Sequence, residues 1–159
     1  MRPRPPSVVV DPSLEAAEVE FLAAFACKTG QAGVRRVWPG QPSRHCPWRP
    51  TPDGQYLLLD LPLAASEPDS VAGWLRFLSR EFLAPSTAAA LDTALTLGLR
   101  GGHRLSGHVD LGTGRRVTVQ LGRVTEEVRP ASSVAPPDVA VVADVVDLST
   151  HRAAAHTER

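Results

Sequence analysis

Five histidines and two cysteines are the residues whose chemistry is most versatile, and their placement decides what they could do. His45 and Cys46 adjoin in a proline-rich stretch, and His103 and His108 lie near each other further on. Imidazole and thiolate are zinc ligands, but no C-x-x-C or H-x-x-x-H spacing is present. His103 and His108 stand an odd number of residues apart, so in one strand they would point to opposite faces. No metal site and no cofactor is expected. His108 and Asp110 alternate with apolar residues and would share a polar sheet face with Arg104 and Ser106. A histidine beside a carboxylate is the arrangement of an oriented general base, which makes His108, Asp110 and Arg104 the candidate catalytic set. No nucleophile or pocket is indicated for them, and any half-exposed sheet carries such a face.

Cys46, between His45 and Pro47, could be a nucleophile activated by the adjacent imidazole. Neighbouring side chains in an extended loop diverge, however, and a loop cysteine without a role is the plainer reading. Arg100-Gly101-Gly102-His103-Arg104 could receive a phosphate. It lacks the Gly-Lys-Ser/Thr ending of a P-loop and precedes a strand rather than a helix. A helix end turning into a strand accounts for both glycines.

Two segments look suited to binding a partner. Trp38 and Trp48 bracket a long proline-rich loop beside Arg35, Arg36, Arg44 and Arg49. Tryptophan and arginine are the residue types that anchor protein interfaces, and loops of this length are often functional. The alternative is that both indoles fold back over the edge of the core. The second segment is the valine-rich run 139–148, which includes Val141 and Val145. It reads as a late strand at the sheet edge or as a segment that orders on a partner.

The elements that must position these residues follow from composition and pattern. A chain of 159 residues, 43% hydrophobic and 21% charged, is one globular domain's worth. The formal net charge is zero, which speaks against a nucleic-acid binder reliant on a strong basic field. Of 17 basic residues only Lys28 is lysine, and isoleucine and asparagine are missing altogether. Lys, Ile and Asn have AT-rich codons, so this is the signature of a GC-rich bacterial genome. Two cysteines make no disulfide framework, and Cys27 reads as a small buried hydrophobe. No apolar run approaches the roughly 18 residues of a membrane span, and nothing at the N-terminus has the form of a signal peptide. The expectation is a cytoplasmic protein with no membrane partner.

Residues 1–6 read as a disordered leader, 7–129 as the folded domain, 130–138 as a linker and 149–159 as a disordered tail. Ser7–Val10 reads as a strand. Asp11-Pro12 then suits a helix start, and Leu14, Ala17, Phe21, Leu22 and Phe25 recur at helical spacing to about Lys28. Val34–Trp38 reads as a strand, and the prolines and glycines of 39–54 as an irregular loop. Residues 55–61 form an apolar central strand. Ser66 with Asp69 resembles a capping box before an amphipathic helix over 68–83, with Val71, Trp74, Leu75, Leu78 and Phe82 inward. Ser86 caps a further helix whose inner positions would be Ala88, Leu91, Leu95 and Leu99. The clearest element is a hairpin turning at Gly112-Thr113-Gly114, with Leu105, Val109, Leu111, Val117, Val119 and Leu121 on the core face. Gly122 reads as a bulge.

This order predicts an α+β fold: an antiparallel or mixed sheet with two or three helices on one face, a ferredoxin-like sandwich or a variant of it. The function expected is a protein-interaction module (adaptor, regulator or immunity-type inhibitor) that meets another protein and has no catalytic activity. The alternative is a small enzyme or ligand-binding domain working from the polar face of the 103–121 hairpin. RNA binding is disfavoured because that face lacks aromatics for stacking bases.

Overall fold

Alternation in the sequence resolves into a six-stranded antiparallel sheet with helices, a mixed α+β architecture. The computed structural model describes residues 5–26, 38–112 and 114–130. The elements are β1 (Ser7–Asp11), α1 (Ala16–Ala26), β2 (Trp48–Pro50), β3 (Tyr56–Leu59), α2 (Leu61–Ser66), α3 (Ser70–Leu78), a π-helical turn (Ser79–Leu83), α4 (Ala88–Thr96), β4 (Arg104–Asp110), β5 (Arg115–Gln120) and β6 (Arg123–Val128). The expected segments Val34–Val37, 131–138, 139–148 with Val141 and Val145, and 149–159 lie outside the described residues, as do Cys27, Thr113 and most of the leader.

The sheet runs β2-β3-β1-β4-β5-β6, and every neighbouring pair is antiparallel. β1 and β2 therefore run the same way with β3 between them, joined through α1. β3 and β4 run the same way with β1 between them, joined through α2, α3 and α4. Each is a split crossover, and β5 and β6 continue the sheet as a meander. Val8, Val10, Trp48, Leu57, Leu59, Leu105, Val109, Val117, Val119 and Val124 are all buried. They occupy alternate positions, so they line one face of the sheet. Against them pack Leu22, Val71, Trp74, Leu75, Leu78 and Phe82, all buried.

Several elements start or stop elsewhere than the sequence suggests. Asp11 does not cap α1, because it is the last residue of β1, paired with Arg104, and the helix begins only at Ala16. α1 starts five residues later, and its third helical residue takes over the capping: Glu18 reaches back to accept the N–H of Glu15 at 2.9 Å. Ser66 is no cap either, since it ends the unforeseen short helix α2. There Asp60 is the cap, accepting from the Leu63 N–H at 3.1 Å, with Pro62 in the first turn where its missing N–H costs nothing. Thr87, not Ser86, caps α4.

The loop 39–54 holds a strand despite its prolines. β2 is a short strand at the sheet edge, where the nitrogen of Pro50 points away from β3 and needs no ladder partner. In α4 the buried positions are Ala90 and Ala94, while Leu91 and Leu95 are 45% and 59% exposed. The helix is apolar on both sides, so periodicity alone does not phase it. It ends at Gly98, φ +77°, in a Schellman turn: Leu99 N–H donates to Ala94 O and Gly98 N–H to Leu95 O.

Leu121 is a correction to the expected hairpin core. It is 75% exposed with φ +49°, because Leu121 and Gly122 form the two-residue turn between β5 and β6. That turn, rather than a bulge, reverses the parity that brings Val124 inward. The remaining core positions of the hairpin are as expected, with Leu111 partly buried.

Candidate functional site

The titratable residues with the most chemical promise are engaged in holding the fold. His103 precedes β4 and is buried against Glu18 of α1, each side chain only 3% exposed. Its Nδ1 lies 2.7 Å from the Pro12 carbonyl oxygen and its Nε2 lies 3.0 Å from Glu18 Oε1. Glu18 also accepts the backbone N–H groups of Arg100 at 2.7 Å and Glu15 at 2.9 Å. Burial pushes the Glu18 carboxyl up, but the donors from Glu15, His103 and Arg100 outweigh burial and hold it below the ordinary carboxylate range. The cavity beside it, bounded by Glu18, Leu22, Phe82, Leu83 and Leu99, has no room for a water molecule. This cluster ties the start of α1 to the approach of β4, and no substrate could reach it. The sequence reading missed Glu18, a carboxylate in the first turn of α1, three residues after the Glu15 N–H it accepts.

His108 and Asp110 do share the outward face of β4, as alternation predicts, and Arg104 stands on the same face. Asp110 is not an orienter for His108. Its carboxylate is gripped by Arg116 across the strand pair at 2.7 and 3.2 Å. That hydrogen-bonded guanidinium, rather than the imidazole, is the main cause holding Asp110 below its ordinary range. A surface hollow of about 380 Å³ lies elsewhere, at Pro42 and Ser66–Ser70.

Cys46 is buried in the core, its sulfur 3.4 Å from the Trp48 backbone nitrogen, and so is not presented as a nucleophile. Among the described residues no three His, Cys, Asp or Glu side chains gather as a metal site would require. Gly101 and Gly102 take φ of +68° and +76° in the connection from α4 to β4, the conformational role expected of them.

The tryptophans divide differently from the interface expectation. Trp48 is fully buried, with its indole N–H donating to the Val71 carbonyl at 3.0 Å. Trp38 is half-buried, packed edge-on to Phe21 and Phe82. Both indoles therefore cover the core. Arg44 and Arg49 are exposed, and Arg49 projects from the face of β2 opposite Trp48.

Arg49 belongs to the outward face of the sheet, where exposed and half-buried residues meet in rows. One row sets Arg49, Leu58 and Ser7 side by side, and the next sets Tyr56, Val9 and Ser106. Asp11 faces Arg104 beyond them. Further along, His108, Thr118 and Thr125 form a polar row, and Asp110, Arg116 and Glu127 alternate in sign. Val9 is 41% exposed at the middle of this face, flanked by half-buried Tyr56 and Leu58. Among the described residues no helix is long and apolar enough to cross a membrane. Comparison with family models, curated proteins and solved structures found no match to this chain.

Proposed function

We propose that the chain is a cytoplasmic protein-interaction module without catalytic activity, meeting another protein through the outward face of its sheet. The observation that carries this is the apolar strip of Tyr56, Val9 and Leu58, bordered by the charges of Arg49, Arg104 and Asp11. Apolar side chains rimmed by charge are what an interface core and rim require. The face mixes acids with its arginines and offers Tyr56 as its aromatic, a composition suited to a protein surface and poor for stacking bases.

We further infer a ferredoxin-like sandwich extended by β5 and β6, with the helices on the face opposite the strip. The order β4-β1-β3-β2 and the two split crossovers support it. Among the described residues that placement leaves the outward face without a helical cover, which is what a docking surface needs.

The test is affinity capture from the native host with the full chain as bait, alongside Val9→Glu and Arg49→Glu. The expected outcome is a discrete partner whose recovery falls about tenfold in both variants while their circular dichroism and melting temperature stay unchanged. Undiminished recovery in both folded variants would remove the outward face from the account.

A further inference from the structure

The two edges of the sheet are built differently. β2 has three residues, includes Pro50, and lies beside α1, with the Cys46 N–H reaching the Phe25 carbonyl at 3.4 Å. β6 has six residues and neither proline nor glycine. Its hydrogen-bonding direction follows from one contact. Arg129 donates its N–H to the Gly114 carbonyl at 2.7 Å, so those two residues are a hydrogen-bonded pair in the β5–β6 register. Alternation along an antiparallel ladder then turns the backbone groups of Arg123, Thr125 and Glu127 toward β5. Those of Val124, Glu126 and Val128 turn outward. Among the described residues no strand pairs with that side. The Val124 carbonyl accepts from the Arg76 guanidinium at 3.4 Å and keeps a second lone pair. Val128 is 64% exposed at the end of the strand.

Charges on an edge strand ordinarily discourage pairing. On β6 they are self-complementary in one register. With a two-fold axis through Thr125, Arg123 of each copy lies opposite Glu127 of the other, on the outward sheet face. Thr125 meets Thr125, a favourable cross-strand pair. Val124 and Glu126, whose backbone groups point outward, become the hydrogen-bonded pairs. Moving the axis to Glu126 sets Glu126 against Glu126 and Arg123 against Arg129, so charge selects the first register. We propose that a second copy of this chain occupies the β6 edge, pairing antiparallel about Thr125 and joining two six-stranded sheets into one. Such a contact is isologous and closes as a dimer. It uses the sheet edge and stands apart from the outward-face reading, so either can fail alone.

The experiment measures the mass of the full chain by light scattering over a range of concentrations, with cysteine and charge variants in a Cys27→Ser background. Thr125→Cys places two thiols at a non-hydrogen-bonded pair, where the Cα atoms are about 4.5 Å apart and a disulfide can close. The expected result is a dimer that Thr125→Cys traps under mild oxidation and Glu127→Cys does not. Arg123→Glu should weaken the dimer about tenfold by turning both symmetric pairs into like charges. Adding Glu127→Arg should restore it. A monomer at every concentration, with the two cysteine variants cross-linking alike, would overturn the proposal. So would a dimer indifferent to Arg123→Glu that Thr125→Cys fails to trap. A monomer that dimerises only in Val141→Pro/Val145→Pro would overturn it too, by assigning the edge to the chain's own valine-rich segment.

Discussion

Glu18 and His103 have the residue types of a catalytic dyad, and their surroundings give them another task. Both imidazole nitrogens face oxygen acceptors, and the carboxylate collects two backbone N–H groups besides the imidazole. Removing one member leaves the polar groups it paired unsatisfied in a site closed to water, which costs about 1–3 kcal/mol. Glu18→Ala should show that loss in urea denaturation at neutral pH. The pH dependence has a definite sign. The folded-state carboxyl of Glu18 is held low by its donors against the opposing effect of burial. Its contribution is therefore complete above the unfolded-state value and is lost as pH falls through the depressed folded-state value. The stability gap between wild type and Glu18→Gln should narrow as pH falls from neutral through and below the ordinary carboxylate range. A constant gap would show that the carboxylate charge contributes nothing.

At the scale of elements, sequence pattern succeeded where one face was apolar and the other polar. The α3 stripe from Val71 to Leu78 and the alternation of β4 and β5 are buried as read, because their polar residues leave a single way to face the core. It failed where that contrast was missing. α4 offers alanines on one side and leucines on the other, and the small residues went inward. Leu95→Gln should therefore change stability by less than about 0.5 kcal/mol, whereas Ala94→Leu should cost about 1–3 kcal/mol by overpacking. Equal effects would contradict the observed phase of the helix. Trp48 was equally ambiguous: the same indole could anchor a partner or roof the core, and only the pairing of β2 with β3 turned it inward. Trp48→Ala should cost about 3–5 kcal/mol. A lost association in that variant would thus report on folding rather than on an interface.

At the scale of the whole molecule, the hairpin arms β4 and β5 that were legible in sequence join a sheet whose strands β1, β2 and β3 come from a distant segment. β1 lies between β3 and β4, a neighbourhood no local pattern encodes. The outward face emerges only from that long-range pairing. Val9, Tyr56 and Leu58 are unremarkable strand residues until β1 and β3 align them into one strip. The candidate catalytic residues were legible as a shared polar face, while the real partner of Asp110, Arg116, depended on strand register, just as the partner of His103, Glu18, depended on tertiary packing.

The central claim is that this strip meets a protein. A photo-reactive amino acid placed at Val9 in the full chain, expressed in the native host, tests it most directly. Leu95, also exposed and apolar but on α4, serves as the comparison site. The account predicts one discrete cross-linked adduct from Val9 and none of the same mass from Leu95. No adduct from Val9, or the same adduct from Leu95 alone, would contradict it.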